Sequence, residues 1–239
     1  MAMVVWVFAG GGVSEMKALI PFLNNHFSGC AFERKTPYRK KPGPKPGKPE
    51  TRSSLGRTGK SLAEQIKSEL IIALKSGFSD LILVMDDLDC NDANTREKLF
   101  LDAIDNIPGT ADIVKQVGFA APEIESWLIA DWDNTFANDI DFRNRHANMR
   151  WWLSTKSVSF NNPESFSNLD PGRNSCEEKL SELIMEASQR HEGEKQFSKG
   201  THTSRMLMNV NPDIVCGKCP HFRAFYFQLI SFCNQRANI

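Results

Sequence analysis

The chain has 239 residues, of which 41% are hydrophobic and 24% are charged, and this composition excludes disorder along its whole length. The 29 basic and 29 acidic residues cancel to a formal net charge of zero. The cancellation is uneven: residues 34–60 carry ten basic residues and one acidic residue, or +9, while the remainder, with 19 basic and 28 acidic residues, is −9. Five of the twelve prolines lie in the same segment, so we expect a basic, extended and mobile segment on an acidic globule.

Two further bounds concern membranes and cysteines. No apolar run approaches the roughly 20 residues of a membrane-spanning helix, so no membrane partner is expected. The six cysteines lack the spacing of a disulfide framework, and the chain is long enough to build a core without one. We therefore expect a reducing, cytoplasmic location.

In the N-terminal half, short apolar runs alternate with amphipathic patterns. The apolar runs predict strands at 3–8, 81–85 and 113–120. Helices are predicted after the glycine turn at 10–12, over 61–77 with the capping-box spacing of Ser61 and Glu64, over 94–107, and over 123–131 after Pro122. Strands that alternate with helices predict an α/β fold with a central, mainly parallel sheet flanked by helices.

The C-terminal half is less regular. Residues 134–173 show no clear pattern, whereas 175–190 are amphipathic and 222–233 carry an apolar stripe at helical spacing. We predict a core over 1–133, with the basic segment 34–60 inserted into it, and a mostly helical extension over 134–239 packed on that core.

Acidic residues follow two of the predicted strands. Glu15 lies four residues after Gly11 in the glycine turn, and Asp87 and Asp89 end the strand at 81–85. Ligands of open α/β sheets bind beyond the carboxyl ends of the strands. Converging carboxylates suit a hard divalent ion such as Mg²⁺ or Mn²⁺, which predicts phosphoryl transfer or phosphodiester hydrolysis. An acidic turn that only caps the next helix is the structural alternative.

These motifs together resemble the Toprim fold of topoisomerases, primases and OLD-type nucleases. The resemblance depends on the glycine turn with Glu15, on Asp87-Leu-Asp-Cys90, on Ala121-Pro-Glu-Ile-Glu-Ser-Trp-Leu-Ile-Ala-Asp131 and on Cys219-Pro-His-Phe-Arg223. In this combination the chain is similar to a prokaryotic family of Toprim-like proteins often grouped with anti-phage defence systems. The resemblance implies a metal-dependent nuclease, with a metal site of Glu15, Asp87 and Asp89 supported by Glu123 or Glu125.

The first motif departs from the Toprim pattern. Toprim enzymes usually carry a glutamate directly before the turn glycine, where this chain has Gly11 before Gly12. Since that glutamate commonly serves as a metal ligand or general acid/base, a second hypothesis stays open. In it the chain is a non-catalytic subunit that engages nucleic acid or an ATPase partner.

Helix geometry limits the third motif. Residues two apart on a regular helix point about 200° away from each other, so Glu123 and Glu125 are not expected to face one site. We expect Glu123, which lies nearer the preceding strand, to be the ligand. Favourable placement of both acids in the first helical turn is the structural alternative. Trp127 and Leu128 share the Ile124 face and are predicted to be core.

A phosphate-binding loop is a competing interpretation. Ser54-Leu-Gly-Arg-Thr-Gly-Lys-Ser61 nearly matches the P-loop pattern, but Ser54 replaces the first glycine and no apolar strand precedes it. The start of the helix at Gly59, Lys60 and Ser61 is still suited to hold a phosphate through its N–H groups. A P-loop nucleotide-binding protein is thus the third hypothesis.

The basic residues predict contact with a nucleic-acid backbone. Lysine and arginine interleaved with proline and glycine suit weakly sequence-specific, salt-sensitive binding of DNA or RNA, although a solvated loop or a protein-docking segment has the same composition. A second basic loop, 199–205, adds Lys199, His202 and Arg205 as possible phosphate contacts. The predicted nucleic-acid-binding residues are Arg34, Lys35, Arg39, Lys40, Lys41, Lys45, Lys48, Arg52, Arg57, Lys60, Lys199 and Arg205.

A zinc site is a weaker possibility. Cys216 and Cys219 have CxxC spacing, and His202 or Cys176 are candidates to complete a ligand set. One CxxC pair without a second pair at a defined spacing is weak support.

Overall fold

The computed structural model describes residues 2–12, 15–37, 57–190 and 195–234, without the side chains of Glu15 and Met16. Most of the basic segment, including Arg39, Lys40, Lys41, Lys45, Lys48 and Arg52, therefore lies outside the described residues.

Within the described residues, four strands form a parallel sheet in the order β2-β1-β3-β4. The strands are β1 (Met3–Ala9), β2 (Cys30–Thr36), β3 (Leu81–Asp87) and β4 (Val114–Ala120). The central strands β1 and β3 are almost wholly buried because helices cover both faces, which explains their uninterrupted apolar sequence. The predicted α/β fold with a parallel central sheet is confirmed.

Helices cover the two faces of the sheet. On one face, α2 (Gly59–Ser76) and α3 (Ala93–Asp105) pack against Trp6, Phe8 and other outward residues of β1 and β3. The opposite face is covered by a π-helical turn (Glu15–Leu19), α1 (Ile20–His26), α4 (Glu125–Ala130) and the helices of the C-terminal half. Among the described residues, no helix is long and apolar enough to cross a membrane.

The C-terminal half is mostly helical and shares the core of the sheet. Trp127 from α4 and Phe222 from the last helix stack edge to face, with ring centroids 4.7 Å apart. Both belong to one buried cluster with Val7 of β1 and Leu83 of β3. The boundary at 133/134 stays a prediction. The elements are α5 (His146–Thr155), a short hairpin of β5 (Leu169–Asp170) and β6 (Ser175–Cys176), α6 (Leu180–Ser188), a π-helical turn (Lys199–Thr203), α7 (Ser204–Met206), α8 (Pro212–Lys218) and α9 (Pro220–Asn234).

Several element boundaries differ from the sequence predictions. Strand β2 was not predicted, because its exposed face is polar and its end merges into the basic segment. Helix α2 begins at Gly59, where Thr58 and Ser61 form the capping box in place of Ser61 and Glu64. The helix predicted from 175 begins only at Leu180, since Ser175 and Cys176 pair with β5.

Four of the cysteines form disulfides, which the sequence spacing did not indicate. Cys30 at the start of β2 is bonded to Cys233 in α9, and Cys90 after β3 is bonded to Cys176 in β6. The partners are 203 and 86 residues apart, so no local pattern reveals them. Cys216 and Cys219 are free and buried. Two disulfides thus form although the cysteines lack framework spacing, and a cytoplasmic location stays a prediction.

Candidate acidic site at the carboxyl edge of the sheet

The loops after β3 and β4 are joined at the carboxyl edge of the sheet. Backbone bonds run from Leu88 N–H to Ala120 O at 2.8 Å and from Asp89 N–H to Pro122 O at 2.9 Å. The Asp87 carboxylate accepts the Ile124 N–H at 3.0 Å. The Asp-x-Asp loop and the following acidic loop are therefore brought to one place, as the sequence analysis expected.

Asp89 is the acid of this edge whose backbone is most constrained. Its φ of 49° lies in the left-handed region, which is uncommon outside glycine, asparagine and aspartate. Burial raises the pKa of Asp89, and the nearby Glu123 raises it further, whereas Lys179, Arg96 and Lys199 oppose the shift. Asp89 and Glu123 thus repel each other across the joined loops.

Glu123 is buried, with 3% of its surface exposed, and is held by donors from two other elements. The backbone N–H of Ser181 in α6 donates to its Oε2 at 2.9 Å, and the Ser181 hydroxyl donates to its Oε1 at 3.2 Å. The ammonium of Lys199 lies 3.3 Å from the same Oε1.

Glu125 is fully buried and faces the same lysine, which corrects the prediction that Glu123 and Glu125 point apart. Its Oε1 accepts the Thr203 hydroxyl at 2.7 Å, and its Oε2 lies 3.0 Å from Lys199 Nζ. The prediction assumed a regular helix from Pro122, but α4 begins only at Glu125 and Glu123 lies in the preceding turn. The angle of about 200° therefore does not apply to this pair.

Lys199 joins the two buried acids. Burial lowers its pKa, but Glu125, Asp87 and Glu123 outweigh that effect and hold the pKa well above its usual range. Burial raises the pKa of Glu125, with a further rise from Glu123, while Lys199 and Thr203 oppose it. At neutral pH the lysine is therefore a protonated ammonium inside the acidic site.

The turn that carries Lys199 is anchored by a second polar cluster. Arg205 makes a two-pronged pair with Asp139, with both distances 2.7 Å, and also contacts Asp141 at 2.7 Å. His202 is buried between the rings of Phe142 and Phe197. Lys199 and Arg205 were both predicted to contact phosphate, and in the structure both lie against carboxylates.

A further acid, Asp86, was not singled out in the sequence. Its Oδ2 accepts the Gly59 N–H at 2.9 Å and lies 3.3 Å from the Arg96 guanidinium. The N-terminus of α2, which the P-loop interpretation reserved for a phosphate, therefore holds a carboxylate of the chain itself. Lys60 is exposed in the first turn of α2. Asp86 escaped notice because it follows an apolar run and lies one residue before the Asp-x-Asp motif.

The glycine turn closes against Asp86 and the end of the basic segment. Gly10 N–H donates to Met85 O at 2.8 Å, and Gly11 N–H donates to Arg57 O at 3.0 Å. Gly11 has a φ of 75°, a conformation that favours glycine and would strain a glutamate. The position where the Toprim pattern has a glutamate and this chain has Gly11 therefore also has a backbone conformation that disfavours glutamate. The backbone of Glu15 opens the π-helical turn after it.

The residues that flank the undescribed part of the basic segment also lie at this edge. Thr36, at the end of β2, pairs in register with Phe8 and donates its hydroxyl to Ala9 O at 3.0 Å. Arg57 bridges to Gly11. Arg34, in β2, is exposed, whereas Lys35 is half-buried, pairs with Glu33 and lies over the Trp6 ring. The chain thus enters and leaves 38–56 on the side that carries the acids.

The acids fit a divalent ion only in part. Asp87 and Asp89 are half-buried oxygen donors of the kind that Mg²⁺ and Mn²⁺ prefer. Glu123 and Glu125 do not fit, because the Lys199 ammonium already lies 3.3 Å from one and 3.0 Å from the other, where a shared metal ion would be held. Among the described residues, which omit the Glu15 side chain, no group of three or more His, Cys, Asp or Glu side chains is placed to hold a metal ion.

A groove of about 490 Å³ opens beside Glu123 and Lys199. Ser181 and Met185 of α6 line one side, Gln196 and Ser198 line another, and Lys179 lies at its margin near Asp89. A space of this size accommodates a nucleotide-sized group. Ser198 directly precedes the basic loop 199–205. The other wall residues named here belong to no functional motif found in the sequence.

The zinc interpretation receives no support from the described residues. Cys176 is bonded to Cys90, and His202 Nδ1 accepts the Ser198 N–H at 2.8 Å. Burial raises the pKa of Cys216 to about 11, and burial also raises the pKa of Cys219.

Comparison with known families places the chain in one of them. A family model described as a domain of unknown function, DUF4276, matches residues 12–230, and the chain belongs to this family. Neither the search of curated proteins nor the search of solved structures found a match.

Proposed function

We propose that the protein is a divalent-metal-dependent nuclease of the Toprim type, which hydrolyses phosphodiester bonds of DNA or RNA, as an effector or subunit of a prokaryotic defence system. One observation carries the proposal: the carboxylates after β3 and β4 meet a protonated lysine at the carboxyl edge of a parallel sheet. Active sites of open α/β sheets lie at this edge.

The ion and its ligands belong to the proposal. Asp87 and Asp89 would hold Mg²⁺ or Mn²⁺, and Glu15 is the remaining candidate ligand. The ion would neutralise charge on the phosphate and lower the pKa of a bound water. Lys199, beside Glu123, would supply positive charge to the phosphate as its negative charge develops.

The charge distribution supports nucleic acid as the substrate. Thr36 and Arg57, which flank the undescribed part of the basic segment, lie at the acidic edge, so this part of the chain begins and ends beside the carboxylates. A segregated basic segment attracts a polyanion and weakens the repulsion that the acids would exert on it. The groove beside Lys199 gives room for one nucleotide of the bound strand.

The test uses the purified full chain with Mg²⁺ or Mn²⁺ and labelled single-stranded DNA, duplex DNA and RNA, including tRNA. Asp89→Asn should reduce cleavage at least about a hundredfold, since ligand loss removes the proposed activation of water. Asp112→Asn removes an exposed acid after α3 and is the matched control, with unchanged activity expected. The nuclease proposal fails if no substrate is cut, or if Asp89→Asn cuts as fast as Asp112→Asn.

A non-catalytic subunit is the second candidate, and the Gly11 conformation favours it. The positive φ at Gly11 stands where the Toprim pattern has a catalytic glutamate. This candidate predicts salt-sensitive binding of an oligonucleotide, or association with an ATPase partner, in EDTA and without cleavage. Calorimetric titration with Mn²⁺ separates the two candidates, because only the nuclease requires an ion whose binding Asp89→Asn abolishes.

A further inference from the structure

We infer that Lys199 is the resident cation of the acidic site: it lies between Glu123 and Glu125, so that these two glutamates are not metal ligands and the divalent ion of the proposed function depends on the other acids. The inference differs from the Toprim resemblance, which implies Glu123 or Glu125 as a supporting ligand. It rests on the proposed function only for the presence of an ion at Asp87 and Asp89.

Each oxygen of the two glutamates already lies beside a hydrogen-bond donor or the Lys199 ammonium. Ser181 supplies its N–H and its hydroxyl to Glu123 at 2.9 and 3.2 Å, and Thr203 supplies its hydroxyl to Glu125 at 2.7 Å. Lys199 Nζ lies 3.3 Å from Glu123 Oε1 and 3.0 Å from Glu125 Oε2. Every carboxylate oxygen of the pair therefore has a donor or an ammonium within 3.3 Å.

The charges explain why an added ion is excluded. Two carboxylates with 3% and 0% exposure would repel each other strongly without a cation between them. The ammonium offsets one of the two charges. A divalent ion can enter between the glutamates only if Lys199 leaves, because two cations at hydrogen-bond distance repel each other.

The backbone holds Lys199 in this place. Its turn, Lys199–Thr203, is joined to α7, where Arg205 pairs with the buried Asp139. Thr203 of the same turn bonds the same glutamate as Lys199. Displacement of the turn that carries Lys199 would therefore break contacts beyond the ion pair itself, whereas rotation of the side chain alone would break only the ion pair.

The experiment counts Mn²⁺ ions bound to the full chain by calorimetry and electron paramagnetic resonance. Lys199→Met keeps the length of the side chain and removes its charge, and Lys199→Arg is the matched control that keeps the charge. We expect Lys199→Met to bind one Mn²⁺ more than the wild type and to gain more thermal stability from Mn²⁺, whereas Lys199→Arg matches the wild type. A folded Lys199→Met protein that binds no additional ion overturns the inference.

A second variant covers the case in which Lys199→Met does not fold. In the wild-type background, Glu125→Gln should leave Mn²⁺ affinity within about threefold, because Glu125 is not a ligand. A loss of about tenfold or more would show that it is one and overturn the inference. If the wild type binds no Mn²⁺, the proposed nuclease function fails. The inference is then tested by whether Lys199→Met binds one Mn²⁺ where the wild type binds none.

Discussion

The carboxylate of Asp86 pairs with the Arg96 guanidinium at 3.3 Å in the interior, with Asp86 at the end of β3 and Arg96 in α3. Burial raises the pKa of Asp86 to about 7, against the opposing effects of the Gly59 N–H and Arg96. Through Arg96 and the Gly59 N–H, Asp86 connects α3 and the start of α2 to β3, the strand that carries Asp87. These contacts therefore stabilise the edge of the sheet on which the acids lie.

Replacing Arg96 by leucine should lower the free energy of unfolding by about 3 kcal/mol, because it leaves a buried carboxylate without its charge partner. Urea unfolding of the variant at pH 8 measures the loss. The double variant Asp86→Asn with Arg96→Leu is the control and should recover part of it. A loss below about 1 kcal/mol for Arg96→Leu would show that Asp86 does not need the pair.

A methyl group at Gly10 should disturb these contacts of Asp86. A Cβ at this position would lie 2.3 Å from Asp86 Oδ1 and 2.8 Å from Arg57 O. The carboxylate cannot retreat easily, since Arg96 and Gly59 hold it. We expect Gly10→Ala to cost about 2 kcal/mol in unfolding free energy.

The matched control for Gly10→Ala is Gly217→Ala in α8, where an added Cβ meets no described atom within 4 Å. This variant should be neutral or slightly more stable, because alanine favours helix. Equal melting temperatures for the two variants would contradict the steric account of Gly10.

The pH dependence of stability should carry the signature of Glu164. This acid accepts the His221 and Phe222 N–H groups at the start of α9, at 2.8 and 3.1 Å, and burial raises its pKa to about 7. A raised folded-state pKa means that the folded state binds the proton more tightly. The resulting stabilisation is fully present below pH 4.5, is lost as pH rises towards 7, and changes no further above it.

Glu164→Gln removes this titration. The stability of the wild type minus that of the variant should fall by up to about 3 kcal/mol between pH 4.5 and pH 8. Urea unfolding at pH 4.5, 6 and 8 measures the difference. Parallel stability curves for the two proteins would show that Glu164 titrates alike in the folded and unfolded states.

Several central elements could be predicted from the sequence, because uninterrupted apolar runs and repeating apolar patterns are local signals. The apolar run of β3 and the i, i+4 pattern of α2 both lie where the sequence places them. The joining of Asp87 to the acidic loop agrees with the predicted parallel sheet, since parallel strands end at one edge.

The composition of the site could not be predicted in the same way, because it depends on contacts between distant residues. Lys199 reaches Glu123 and Glu125 across more than seventy residues of chain, and no spacing rule links them. The relative directions of Glu123 and Glu125 were predicted wrongly because α4 begins only at Glu125. The disulfides could not be predicted either, because both join elements that are distant in the sequence.

The disulfide between Cys30 and Cys233 should make stability sensitive to redox conditions. It closes 203 residues between β2 and α9, so its loss frees much of the unfolded chain. We expect Cys233→Ser to lower the free energy of unfolding by about 2 to 4 kcal/mol.

Dithiothreitol should lower the stability of the wild type at least to that of the variant, because it also reduces the disulfide between Cys90 and Cys176. The control is Cys216→Ser, which alters a free buried cysteine and should leave the dithiothreitol effect intact. If dithiothreitol leaves wild-type unfolding unchanged while thiol titration shows full reduction, the disulfide contributes nothing to stability.

Arg205 and Arg34 were both predicted to bind nucleic acid, and their surroundings separate them. Arg205 pairs with Asp139, whose side chain is only 3% exposed, whereas Arg34 lies on the exposed face of β2. Arg205→Gln should therefore lower the unfolding free energy by about 3 kcal/mol, as it strands a buried acid. Arg34→Gln should change stability by less than about 0.5 kcal/mol.

Nucleic-acid binding should show the opposite order. If Arg34 contacts a phosphate, Arg34→Gln reduces the slope of log binding constant against log salt concentration by about one, whereas Arg205→Gln leaves the slope unchanged. Fluorescence anisotropy with a labelled oligonucleotide between 50 and 200 mM salt, on the order of the range in which counterion release is measurable, provides the slopes. A reduced slope for Arg205→Gln, at a temperature where that variant is folded, would return Arg205 to the nucleic-acid interface and show that its pairing with Asp139 yields to a phosphate.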